Sequence, residues 1–328
     1  MPGLRLGRRR ALAVSLATPL LASGIARADS DWPNKTVRYI NPFPAGGTTD
    51  VLSRICCQEL SELTGQQFVV ENKGGAGGNV GADILAKSPP DGYTLGLLTI
   101  AAHGIAPTLY ARLPFNADRD FTPVAMFWAV PNILVVKNDL PAKTVPELIA
   151  LVKANPGKYF FGSGGSGTSP HICGEMFKLR AGLNMQHVPY RGGAPAMQDM
   201  LAGNLDMMFD NISTPLVQHK AGKVRGLAVT SPQRYPGAPD LPAMAEFMPG
   251  FEMTSWGGLC GPAGLPPAMV EKASALVKKV LEGEKLKRIF TEQAATVFYL
   301  DAAAATAFRR KQEAALAPVI KASGARVD

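Results

Sequence analysis

Twice in this chain a short extended segment runs into a glycine-rich turn that opens a helix. The first run is Val37-Arg38-Tyr39-Ile40-Asn41-Pro42-Phe43-Pro44-Ala45-Gly46-Gly47-Thr48-Thr49-Asp50. The second is Tyr159-Phe160-Phe161-Gly162-Ser163-Gly164-Gly165-Ser166-Gly167-Thr168-Ser169-Pro170-His171. Strand, turn and helix in that order form the βα unit of a parallel sheet, which places the turn at the C-terminal edge of its strand. The first N–H groups of the helix lack partners there and carry the positive end of its dipole. Such a turn is a seat for a carboxylate or a phosphate. Two of them, far apart in one chain, point to two lobes holding one anion between them.

In the first turn Pro42 and Pro44 stiffen the approach, Thr48 and Thr49 supply hydroxyls, and Asp50 opens the helix. The same residues also suit a plain βα turn in which Asp50 only serves the dipole. The second turn holds Gly162-x-Gly164-x-x-Gly167, a formal dinucleotide fingerprint. The next strand ends in Val188-Pro189-Tyr190-Arg191, without the acid that a ribose requires. Ser163, Ser166, Thr168 and Ser169 offer hydroxyl donors suited to a carboxylate as well as a phosphate.

The rest of the chain continues the alternation. Strands are expected at 36–41, 67–71, 93–100, 124–130, 132–136, 158–161, 186–190, 206–210 and 224–229. Helices are expected at 48–64, 79–87, 144–155, 170–181, 195–202, 266–281 and 302–322. Gly65 ends the first helix, and Thr144 with Glu147 starts another in the manner of a capping box. The pattern predicts largely parallel sheets flanked by helices, with ligands at the strand C-termini.

Arg5, Arg8, Arg9 and Arg10 precede the apolar stretch Ala11–Ile25, and Ala26-Arg27-Ala28 follows. This is the pattern of a cleaved export signal over residues 1–28, of Sec or twin-arginine type. Five of the 34 Lys+Arg residues lie in it, leaving 29 against 26 Asp+Glu in the remaining 300 residues. The basic balance of the full chain is therefore no argument for nucleic-acid binding. Cys56 falls on the apolar face of the first helix and reads as a buried thiol. A disulfide among Cys56, Cys57, Cys173 and Cys260 stays open.

Several chemistries fail on spacing. The G-x-S-x-G elbow breaks at both Ser163 and Ser166. His103, His171, His187 and His219 lack metal-ligand spacing, and no P-loop is present. His103 and His171 adjoin the candidate turns. Asp210 ends a strand, where it either faces a cleft or serves as an Asx cap. Trp256 is read as a pocket rim or as core, and Arg191 as steering anions or as solvated.

Ordered motifs over nearly the whole exported part carry a resemblance. They are Trp32-Pro33-x-Lys35-x-Val37-Arg38, Pro42-Phe43-Pro44-Ala45-Gly46-Gly47-x-x-Asp50, Val70-Glu71-Asn72-Lys73-x-Gly75-Ala76-Gly77-Gly78-Asn79-x-Gly81 and Pro90-Asp91-Gly92-Tyr93-Thr94-Leu95. There follow Gly162-Ser163-x-Gly165-x-Gly167-x-x-x-His171, Pro189-Tyr190-Arg191-Gly192, Met208-Phe209-Asp210-Asn211, Leu227-Ala228-Val229-Thr230-Ser231 and Gly261-Pro262-Ala263-Gly264-Leu265-Pro266. In these the chain resembles the Bug-type solute-binding proteins, the extracytoplasmic receptors of tripartite tricarboxylate transporters. It departs from them at Leu241–Glu246, at Cys56-Cys57 and at Cys173.

The resemblance implies a two-lobed α/β periplasmic binding protein of type II-like fold. Two mostly parallel sheets are flanked by helices and joined by a double crossover. Residues 29–130 with 254–328 would form one lobe and 131–253 the other, with hinges near 130 and 253. It implies a small organic carboxylate as ligand, held partly through water. Membrane permease subunits are the implied partner, a monomer is expected, and neither cofactor nor metal. Carried onto this chain, the binding loops are Gly46, Gly47, Thr48, Thr49 and Asp50, and Ser163, Gly165, Ser166, Gly167, Thr168 and Ser169. Thr99, Ala101, His103 and Asp210 border the rest. The residue reading adds Ala45, His171 and Trp256. Two rivals stand beside this receptor: a carboxylate sensor docking on a receptor kinase, and an exported hydrolase, for which the sequence offers no nucleophile–base pair.

Overall fold

The computed structural model describes residues 32–328, so the expected export signal over residues 1–28 lies outside the described residues. β1 (Val37–Asn41), α1 (Thr48–Thr64), β2 (Phe68–Asn72), α2 (Asn79–Ala86) and β3 (Thr94–Thr99) form the first alternating run. A π-helical turn, Ala101–Ile105, and α3 (Ala106–Leu109) lead into β4 (Phe121–Val136). The second run is α4 (Val145–Ala154), β5 (Phe160–Ser163), α5 (Ser169–Ala181), β6 (Gln186–Pro189), α6 (Gly193–Leu201), β7 (Met207–Asn211), α7 (Ser213–Lys220) and β8 (Arg225–Val229). The chain then returns through β9 (Thr254–Pro262), α8 (Pro267–Glu282), α9 (Glu284–Glu292), β10 (Thr296–Val297) and α10 (Ala302–Ser323).

The strand order is β2-β1-β3-β9-β4-β7-β5-β6, with β8 and β10 also pairing to β4. β1, β2 and β3 are parallel, as are β5, β6 and β7. The crossover strands are not. β9 runs antiparallel to both β3 and β4, and β4 runs antiparallel to β7 and β8. The sheets are therefore mixed, where the alternation alone suggested mostly parallel ones. A strand that enters from the other half without a βα crossover has no reason to be parallel.

β4 is where the halves join. Up to Pro131 it pairs with β9, and from Asn132 onward it pairs with β7. The two extended segments expected on either side of Pro131 are one continuous strand. Pro131 pairs with Thr254, the first residue of β9, so both chain passages between the halves lie side by side.

The helices form for the reasons visible in their sequences. α1 buries Leu52, Cys56, Cys57 and Leu60 and ends on Gly65 at φ 71°, a left-handed C-cap. α4 starts on Thr144, whose hydroxyl accepts the Glu147 N–H at 3.3 Å. Glu147 answers by accepting from Lys143 N–H at 2.7 Å, one residue before the cap. All four cysteines are buried free thiols, and burial pushes the Cys173 thiol up to about 12. The bland reading of Cys56 holds, and the four are unbonded.

Candidate functional site

Where the two halves face each other they enclose a cavity of about 40 Å³, walled by the N-terminal ends of three helices. Pro44, Gly47, Thr48 and Thr49 bring the start of α1 to it. Gly164, Thr168, Ser169 and Pro170 bring the start of α5, and Gly193 the start of α6. Thr99 and Ala101 close it from the end of β3, Asp210 and Asn211 from the end of β7, and Ser255 from β9. α1 and α6 start on Gly47 and Gly192, neither of which caps its helix through a side chain. Their leading N–H groups are open to an acceptor. Among the described residues no Lys, Arg or His stands in this lining, so an anion here meets helix N-termini and hydroxyls.

The first turn is braced from behind by Asp50. Its Oδ2 accepts from Gly46 N–H at 2.9 Å and from Arg54 Nε at 3.1 Å, and Oδ1 accepts from Asn72 Nδ2 at 2.8 Å. Burial raises its pKa, but the Arg54, Gly46 and Asn72 hydrogen bonds outweigh that and hold the carboxyl below its ordinary range. Asp50 thus shapes the loop and is not part of the wall, and Ala45 and Gly46 lie exposed at the rim. Asp50→Ala removes the acceptor of Gly46 N–H and one of two acceptors of Asn72 Nδ2, which keeps Phe43 O at 2.9 Å. A lost hydrogen bond to a charged group costs about 1.5–3 kcal/mol, less where water can take its place. The expected loss in urea unfolding is about 1–3 kcal/mol, with weakened ligand binding; an unchanged urea midpoint would show that the loop holds its shape without this brace.

The second turn is held by Ser163 and two histidines. Ser163 Oγ accepts from Gly165 N–H at 3.1 Å and lies 2.7 Å from His187 Nε2. His187 stacks on His171 at 4.2 Å and on Phe161 at 4.8 Å. His171 Nδ1 in turn accepts from Gly167 N–H at 3.2 Å. Burial pushes the pKa of His171 down to about 4 and that of His187 to about 3, so both rings are neutral. The Ser163–His187 pair is the nucleophile–base geometry that the sequence did not reveal. Its hydroxyl is completely buried beneath the turn, outside the cavity lining, so it serves as a staple.

Other expected site residues sit elsewhere. His103 is buried against Phe121, and its Nδ1 accepts from Thr99 N–H at 3.1 Å. The π-helical turn curls it back under β3 instead of out to the cleft. Trp256 is core: it lies under Gly104 and edge-on to Phe308. Successive strand residues alternate faces, so Ser255 takes the cavity position and Trp256 the opposite one. Gly165, Ser166 and Gly167 lie just outside the cavity, where the turn abuts the first half. The Tyr110 hydroxyl sits between Ser166 O at 2.9 Å and Ala76 O at 3.1 Å.

Asn211 and Gly193 are wall residues absent from the expected site. Thr48 Oγ1 crosses between halves to donate to Asn211 O at 3.1 Å. Asn211 Nδ2 donates to Asn132 Oδ1 at 2.7 Å, at the point where β4 changes partners. Gly193 closes on Asp210 so tightly that a Cβ there would come within 2.4 Å of Oδ2.

Among the described residues Asp210 is the sole ionisable side chain in the wall. Its Oδ1 accepts from Asn211 N–H at 2.9 Å, while Oδ2 is buried and without a partner. Burial pushes its pKa up to about 7, against the opposing pull of the Asn211 amide. A shift of that size corresponds to roughly 4 kcal/mol against ionisation. The α6 dipole returns about 2 kcal/mol at most, so burial decides the protonation state near neutrality.

Comparison with known proteins converges on one family. Residues 52–325 match the model of the tripartite tricarboxylate transporter family receptor. A protein encoded in the tcbD–tcbE intergenic region of Pseudomonas sp. strain P51 is 39% identical over 279 residues, covering 84% of this chain and 82% of the relative. Among solved structures, R. palustris Rpa4515 with adipate superposes with a TM-score of 0.88 at 33% identity, covering 90% of this chain and all of that one. The periplasmic binding protein BugD gives 0.87 at 34% identity, covering 90% and 99%. With its mixed sheet flanked by helices and its periplasmic-binding-protein fold, the chain belongs to the receptor family of tripartite tricarboxylate transporters, the Bug-type family its motifs resemble.

Proposed function

We propose that the chain is an exported, non-enzymatic periplasmic receptor. It closes over one small organic carboxylate and delivers it to the membrane permease subunits of a tripartite transporter, acting as a monomer. The observation that carries this reading is the cavity itself, built from three helix N-termini and hydroxyls, with no basic side chain in its lining. The carboxylate seats on the amides of the two turns, directly and through ordered water. The related Rpa4515 structure with adipate supports a carboxylate of this general size.

The cavity of about 40 Å³ is walled by both halves, so a ligand reaches it only when they part. Binding therefore requires the halves to part and close again. In this proposal residues 29–130 with 254–328 move as one lobe against 131–253. The hinge is Val130-Pro131-Asn132 beside Met253-Thr254, where β4 and β9 pass between the halves.

The test is a thermal-shift and calorimetric screen on protein refolded free of co-purified ligand. The panel is adipate, succinate, malate, glutamate and benzoate, with the uncharged diamide of adipate as control. At least one acid is expected to stabilise the protein by about 2.7 kcal/mol at a hundredfold excess over Kd, and the diamide by nothing. No response to any acid, or an equal response to the diamide, refutes the proposal.

A further inference from the structure

A ligand carboxylate is an acceptor without donors, and so is an ionised aspartate. In this cavity the two meet. Asp210 Oδ2 is buried, has no hydrogen-bond partner and stands in the wall where the anion must sit. No basic side chain in the lining offsets a second negative charge. Two carboxylates at such range cannot both remain ionised; one proton between them turns repulsion into a hydrogen bond.

Building on the carboxylate reading above, we propose that Asp210 is a specificity-determining donor, and that the receptor takes up its anion together with one proton, carried on Asp210 Oδ2. The balance is simple: ionised Asp210, one solvent proton and the ligand carboxylate become a carboxylic acid donating to a carboxylate. No bond other than O–H forms.

The surroundings leave Asp210 to act alone. β7 lies between β4 and β5, which carry no ionisable side chain. α5, α6 and α7 pack on it with His171, Glu175, Lys178 and Arg180, with Asp199, and with His219 and Lys220. On α1, across the cavity, Asp50 is already engaged by Arg54. None of these contributes to the high pKa of Asp210, which burial raises against the Asn211 amide.

This predicts a ligand whose recognised group is a plain carboxylate, with no hydroxyl or ammonium needed at this position. The probe is adipate, which bears two carboxylates and no other donor; if a different acid of the panel binds, it takes adipate's place. Calorimetry at pH 8 in phosphate and in Tris, whose ionisation enthalpies differ, is expected to report close to one proton taken up per ligand. At pH 6 it should report almost none. Affinity should fall roughly tenfold per pH unit above 7. Asp210→Asn keeps a donor without a titrating proton, so it should bind within about threefold of wild type at pH 6 and lose the decline toward pH 8.5. Binding without proton uptake at pH 8 overturns the proposal while leaving the receptor reading intact. So does a loss of tenfold or more in a folded Asp210→Asn at pH 6, which would make Asp210 an ionised acceptor for a ligand donor. If no acid binds at all, the receptor reading falls first and this proposal with it.

Discussion

Gly77→Ala is expected to weaken ligand binding about a hundredfold while leaving the unliganded protein almost as stable as wild type. Gly77 sits in the turn between β2 and α2 at φ 64°. A Cβ there would stand 2.1 Å from Ser166 O and 3.2 Å from the Tyr110 hydroxyl. Ser166 belongs to the second half and Gly77 to the first, so this overlap exists only while the halves are together. The struck atom is a backbone carbonyl, held in place by Tyr110, and cannot swing aside. Parting the halves removes the Ser166 overlap, and the Tyr110 hydroxyl, in the same half as Gly77, has to give by only a few tenths of an ångström. What remains in the parted form is the cost of a left-handed alanine, about 1 kcal/mol. A penalty of about 3 kcal/mol on the closed form alone lowers apparent affinity roughly a hundredfold. Calorimetry with the best acid of the panel measures the affinity. Small-angle scattering at saturating ligand shows whether the variant stays expanded. Tyr110→Phe, which loses only the hydroxyl between Ser166 O and Ala76 O, should cost a few-fold. Wild-type affinity in Gly77→Ala would mean that binding does not use this closed arrangement.

The closing contacts show how far a sequence reads. Features set by neighbours in the chain were legible: the βα turns, the Gly65 cap, the Thr144 cap, the buried face of α1 and the placement of Thr48, Thr49, Thr168 and Ser169 beside a cavity. Features set by distant neighbours were not. β9 carries Gly257, Gly258 and Gly261 and is missing from the expected strands, yet it is a central strand. Its glycines are there because a Cβ at Gly257 would strike the Trp128 ring at 2.2 Å. Trp256 reads as rim or core from sequence, and strand alternation in β9 decides it: Ser255 faces the cavity and Trp256 the core. His103 was placed in the cleft on the assumption of a loop after β3, and the π-helical turn reverses it. Gly192-Gly193 stands before the helix expected at 195–202, and the structure starts that helix at Gly193, the third one pointing at the cavity. Asp50 and Asp210 were equally plausible as ligand contacts. Only the partners of Asp50, on three separate pieces of chain, show that it is occupied and Asp210 is not.

The same burial that shapes the site should make the protein sensitive to acid. Burial pushes the pKa of His103 and His187 down to about 3, and that of His171 to about 4, from an ordinary value of 6.5. All three are neutral when folded and charged when unfolded below pH 6.5, so the unfolded chain binds three more protons. Stability from these groups is complete above pH 6.5 and is lost as pH falls toward 4. Asp210 acts in the opposite sense. With a folded pKa raised to about 7, it holds a proton in the folded state that the unfolded chain has shed above pH 4, which subtracts one. Near pH 5 the balance is two protons, or about 2.7 kcal/mol lost per pH unit of acidification. Against a typical total of 5–15 kcal/mol, unfolding is expected before pH 4. Urea unfolding at half-unit steps from pH 7.5 to 4.5 measures the slope. His103→Asn, whose Oδ1 replaces Nδ1 as acceptor of the Thr99 N–H, should lower that slope by about 1.4 kcal/mol per unit, one proton's worth, whatever it costs at pH 8. A flat profile in the wild type would mean that the stacked His171–His187 pair and His103 take up protons without leaving their places, and that the second turn is looser than its hydrogen bonds imply.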